Sequence, residues 1–116
     1  MSETVLESRL AKNESRTLSY QQLYKKSEDF LKKLLNEKLP VDSSIFLFGS
    51  RTKKDHSKSS DIDIGVISEK LDKKTIMNIK ETIEESFIPF KVDIVDFTKV
   101  DETFKEEALR SIVRWK

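Results

Sequence analysis

The chain has 116 residues, with 22 Lys plus Arg against 21 Asp plus Glu, and no cysteine. This length predicts one domain with no room for a second. The near-zero net charge argues against broad binding to long nucleic acid, and the absence of thiols excludes disulfides and thiolate zinc sites.

No apolar run approaches the length of a membrane span, and residues 1–19 lack the apolar stretch of a signal peptide, so a cytoplasmic protein with no membrane partner is expected.

Residues 1–17 are polar apart from Val5, Leu6 and Leu10, and read as an N-terminal arm or short helix ahead of a single domain over 18–116. Ser19 and Gln22 fit a capping box, with Leu18 and Leu23 as its hydrophobic staple. Leu23, Ser27, Phe30, Leu31, Leu34 and Leu35 keep helical spacing and Pro40 stops it, which predicts a helix over Tyr20–Leu39. Ile45–Phe48 is the unbroken apolar run of a strand buried on both faces. Asp61–Ile67 reads as a second strand of mixed patterning. Helical spacing returns at Ile76, Ile79, Ile83 and Phe87, capped by Asp72 and closed by Pro89. Lys91–Phe97 is rich in β-branched residues and reads as a third strand. Phe104, Ala108, Ile112 and Trp115 then predict a last helix, capped at Thr98 or Asp101. Strands and helices must share one core, so the expected class is an α/β (α+β) layered domain.

The segment from Ile45 to Ile67 is the least like ordinary packing. Side chains alternate along a strand, so Asp61, Asp63 and Gly65 share one face while Ile62, Ile64 and Val66 share the other. Two carboxylates on one face repel, and burying them unpaired is costly. A divalent cation offsets that cost, since magnesium takes hard oxygen ligands. A lone D-x-D is weak, because a strand end emerging into water also explains it. Its neighbourhood adds weight. Gly49-Ser50 directly follows a strand, where a sharp turn presents backbone N–H groups and a hydroxyl to an anion. Arg51–Lys58 carries four basic residues and one acidic, about +3 in a nearly neutral chain. A phosphate grip beside paired carboxylates is what transfer from a nucleotide requires. His56, the sole histidine, reads as a solvated loop residue. Farther along, the third strand offers two more carboxylates, Asp93 and Asp96, which face opposite sides.

Gly49-Ser50, ten residues, then Asp61-Ile62-Asp63 resembles the G-S-x10-D-x-D pattern of the DNA polymerase β-like nucleotidyltransferase superfamily. The fit is nearest to its minimal nucleotidyltransferases (MNT), of the HEPN–MNT antitoxin type. Phe48, Arg51, Ser60 and the KVDIVDF segment are similar too. The resemblance implies the nucleotidyltransferase fold, a small mixed central sheet flanked by helices. It implies Asp61, Asp63 and Asp93 as the catalytic and metal-binding carboxylates of a site for two Mg2+ ions. It also implies that Gly49, Ser50 and Arg51 hold the triphosphate of ATP.

The activity so implied is transfer of AMP from ATP to a hydroxyl, a tyrosine of a HEPN-domain toxin partner, by an antitoxin. Two other readings stay open: a non-catalytic antitoxin that masks its HEPN partner, and a nucleotidyltransferase with a small-molecule acceptor. Either homo- or hetero-oligomers are compatible with the sequence. The chain departs from the family's pattern in having no glycine between Ser50 and Gly65, which leaves the loop shape open.

Overall fold

The computed structural model describes residues 19–52 and 61–116, with Ser50 described by its backbone. The staple residue Leu18, the arm at 1–17 and the loop at 53–60 with His56 lie outside the described residues.

The first helix, α1, runs Tyr20–Lys38. Its capping box is complete: Gln22 N–H donates to Ser19 Oγ at 3.2 Å, and Ser19 N–H donates to Gln22 Oε1 at 3.0 Å. These bonds satisfy donors that the first turn leaves without partners. Leu39 is the C-cap, one residue earlier than the sequence reading, because Pro40 disfavours helical backbone before it. Strand β1 follows at Ser44–Phe48, and Gly49–Thr52 forms a single 3-10 turn. Strand β2 is Ile62–Ile67. Helix α2, Lys73–Glu84, is capped by Asp72, whose side chain accepts from Thr75 N–H at 2.8 Å. Strand β3 is Val92–Asp96, and helix α3 is Glu102–Leu109 with Asp101 as its cap. Phe87, expected at helical spacing, lies past the end of α2 and meets Phe30 edge-on at 5.5 Å.

The predicted last helix is shorter than its apolar spacing suggested. It stops at Leu109, and Val113–Arg114 forms a fourth strand, β4, antiparallel to β1. Two causes are visible in the chain. Ile112-Val113 is β-branched and favours extended backbone, and β1 would otherwise present an unpaired edge. Trp115 N–H donates to Ile45 C=O at 2.8 Å, which carries the indole onto the α1 side of the sheet.

The sheet order is β3-β2-β1-β4. The β2–β3 pair is parallel, and α2 supplies the crossover that such a pair needs. One face carries Ile45, Leu47, Ile62, Ile64, Val66 and Ile94 against Leu31, Leu34 and Leu35 of α1 and Ile79 and Ile83 of α2. The other face carries a smaller cluster of Phe46, Phe48 and Phe97, with Ala108 and Leu109 of α3 packed against it. Two helices therefore seal one side, while the eight-residue α3 covers the other. That second side is where the acidic residues lie.

Gly65 belongs to this aromatic cluster. A Cβ there would enter the Phe46 ring and stand 2.8 Å from the Phe97 ring. The missing side chain makes room for those two rings, which themselves meet edge-on at 4.9 Å.

Candidate functional site

Two registers build the site. Phe48 of β1 is opposite Asp63 of β2, and Asp63 is beside Asp93 of β3. Direct partners in a ladder share a face. Phe48, Asp63 and Asp93 therefore form a row across three strands, and Asp61 precedes Asp63 by two residues on the same face. The turn Gly49–Thr52 starts where β1 ends, next to this row. Gly49 has φ +78°, a left-handed conformation that suits glycine, and a Cβ on it would stand 2.5 Å from Asp63 Oδ2. The turn and the carboxylate thus touch.

Asp63 is half-buried, whereas Asp93 is exposed. Burial raises the Asp63 carboxyl above its ordinary value, the charges of Asp93 and Asp61 raise it further, and Lys91 opposes them. Asp61 Oδ2 lies 4.0 Å from Lys91 Nζ, with both side chains well exposed, so this pair is solvent-screened. Among the described residues, no three His, Cys, Asp or Glu side chains stand close enough together to hold a metal ion. The donor set is nonetheless all hard carboxylate oxygen, and the like-charge repulsion felt by Asp63 is of the kind a divalent cation relieves.

Asp96 is on the opposite face from Asp93, as alternation requires. Solvent exposure does not explain it, since its side chain is only 9 % exposed. It ends the strand instead, accepting from Thr98 N–H at 2.9 Å and Thr98 Oγ1 at 2.6 Å, an Asx turn.

Arg51 points away from the acidic row. It is buried, with its guanidinium carbon 4.6 Å from the Tyr24 ring centre, 5.0 Å from Phe90 and 5.6 Å from Tyr20. It also donates a hydrogen bond to the Tyr20 hydroxyl. Burial raises the Tyr24 hydroxyl pKa, the Glu28 charge adds to this, and Arg51 opposes it. The sequence reading passed over Tyr20, Tyr24 and Phe90. The first two stand four apart on α1, a spacing that places both rings on one face. On its other side the turn is tied to the end of α3: Thr52 Oγ1 donates to Gly49 C=O at 2.7 Å, and Ser111 Oγ donates to Thr52 Oγ1 at 2.9 Å. Between the turn and α3 lies a cavity of about 370 Å³ lined in part by Phe48, Gly49, Thr52, Phe104 and Ala108.

This geometry can be set beside known proteins. Residues 29–113 match the polymerase beta nucleotidyltransferase family. The chain belongs to this family. It is 38% identical over 90 residues to the probable protein adenylyltransferase MntA of Haemophilus influenzae, covering 76% of this chain and 79% of that protein. Among solved structures, it is similar to a toxin–antitoxin complex with AMP-PNP, with TM-score 0.65 and 26% identity over 77% of this chain and 72% of that one. A second similar structure holds a tri-AMPylated Shewanella oneidensis HEPN toxin in complex with an MNT antitoxin, with TM-score 0.61 and 24% identity over 79% of this chain and 71% of that one. That likeness speaks for the fold.

The nucleotidyltransferase fold and the minimal family type expected from the two motifs are borne out. The chain is a nucleotidyltransferase. Among the described residues, no helix is long and apolar enough to cross a membrane.

Proposed function

We propose that this chain is a magnesium-dependent protein adenylyltransferase that moves AMP from ATP to a tyrosine hydroxyl of a HEPN-domain toxin, and so serves as its antitoxin. The observation that carries this reading is the register that sets Asp63 beside Asp93 and against the Gly49 turn. A phosphate-facing turn and a paired-carboxylate row then adjoin, as phosphoryl transfer needs. The similarity to MntA and to the HEPN–MNT complexes supports the acceptor class.

In the proposed reaction the acceptor oxygen attacks the α-phosphorus, the bond to pyrophosphate breaks, and the hydroxyl proton passes to Asp93 or water. The Gly49–Ser50 backbone and the Ser50 hydroxyl hold the phosphates, with Arg51 fixing the turn that presents them. Asp61, Asp63 and Asp93 would hold the magnesium, which supplies charge neutralisation at the phosphates and a lowered pKa for the acceptor hydroxyl. Asp93 is exposed, and so accessible to a macromolecular acceptor.

A second reading, an antitoxin that only masks its partner, is favoured by one observation: Asp61 Oδ2 lies 4.0 Å from Lys91 Nζ, a cation already beside one of the carboxylates that would hold metal. The two readings separate by transfer from ATP labelled at the α-phosphate. The enzyme reading expects label on the HEPN partner with the wild type and none with Asp63→Asn or with chelator. Wild-type protein that binds the partner yet transfers no label supports masking.

A further inference from the structure

The buried Arg51 is unusual chemistry for a turn beside a phosphate site. A cationic side chain rarely lies fully buried without compensation, and here the faces of three rings and the Tyr20 hydroxyl supply much of it. The rings form one cluster of their own: Tyr20 and Phe90 meet edge-on at 5.7 Å, and Tyr24 and Phe90 at 5.6 Å. Tyr20 and Tyr24 come from α1, and Phe90 from the segment leading into β3. Arg51 comes from the turn itself, so its guanidinium ties three separate parts of the chain together.

We propose that Arg51 and Tyr24 are positioning residues for the triphosphate. The ring cage holds the guanidinium, this fixes the Gly49–Thr52 turn against α1, and the phosphate-facing groups of Gly49 and Ser50 are set before the nucleotide arrives. The inference rests on the nucleotidyltransferase reading above and assigns Arg51 a role other than direct charge contact with phosphate. Arginine suits the role because its planar guanidinium stacks on aromatic faces, which a lysine ammonium does not reproduce. A small displacement of such a turn weakens substrate engagement strongly even when the rest of the fold is intact.

The test measures affinity for magnesium–ATP and for magnesium with inorganic tripolyphosphate, in the wild type, Tyr24→Leu, Tyr24→Phe and Arg51→Lys. Circular dichroism and thermal melting confirm folding of each. Tyr24→Leu and Arg51→Lys are expected to lose about tenfold affinity for both probes. Tyr24→Phe keeps the ring face and should stay within about twofold of wild type. Equal losses for the two probes place the effect on the phosphates and not on the nucleoside. Wild-type affinity in Arg51→Lys overturns the proposal, since charge alone would then suffice. Loss in Tyr24→Phe equal to that in Tyr24→Leu also overturns it, by assigning the effect to the hydroxyl. If Tyr24→Leu does not fold, Arg51→Lys still decides. Absence of magnesium–ATP binding by the wild type overturns the functional reading itself, and this inference with it.

Discussion

Gly49 and Asp63 are packed so closely that the position of each depends on the other: the turn passes over the carboxylate with no room for a methyl group between them. Gly49→Ala therefore meets two penalties. A non-glycine residue at this positive φ costs about 1–2 kcal/mol, and the added Cβ displaces the Asp63 carboxylate. Denaturant unfolding should show a loss of at least about 1 kcal/mol, and the refolded variant should transfer AMP far more slowly than its stability loss explains.

Asp63→Asn is expected to melt at a higher temperature than wild type at pH 7 without divalent metal. The sign follows from the raised carboxyl. The folded state holds the proton more tightly than the unfolded chain, so stability falls as pH rises from the ordinary value near 3.8 through the raised one. Asparagine carries no such charge. The gap between the variants should close as pH drops below about 3.8 and reverse when magnesium is added, because a bound cation stabilises the wild type alone. Melting curves across pH, with and without magnesium, check this.

Gly65→Ala tests the aromatic face separately from the acidic row. The new methyl group would overlap the Phe46 ring and crowd Phe97. Overpacking of this kind costs about 1–3 kcal/mol. A chemical denaturation midpoint equal to wild type would contradict the packing described for this face.

Trp115→Ala should cost about 2 kcal/mol. Its indole packs on the main core, and its backbone closes the β1 edge. Unchanged thermal stability would contradict the packing of the indole on the main core.

The parts of this fold that were legible in the sequence are those fixed by local chemistry. Ser19 with Gln22 and Asp72 each signalled a helix start, Asp101 was one of two candidates with Thr98 for the last one, and alternation at Asp61, Ile62, Asp63 and Ile64 signalled which residues share a face. Ile112 and Trp115 misled because their spacing suits a helix, while the outcome was decided by an open edge on β1, more than sixty residues earlier in the chain. Asp96 and Gly65 were readable as residue types but not as roles. Asp96 is explained by an Asx turn to Thr98, a local motif within reach of the sequence, whereas Gly65 is explained by two rings from β1 and the end of β3, a neighbourhood that does not exist before the sheet forms. The setting of Arg51 was hidden for the same reason, since its cage joins α1 to a segment some seventy residues beyond it.

The central claim is covalent AMP transfer, and intact-mass spectrometry of the partner tests it most directly. A HEPN-domain partner incubated with this protein, ATP and magnesium, then separated from it, should be heavier by whole AMP units on tyrosine and should stay inactive. Incubation with Asp63→Asn should leave its mass unchanged. A covalent phosphodiester outlasts the complex, whereas masking ends on dissociation. An unmodified partner that regains activity once separated from the wild-type protein would contradict the account.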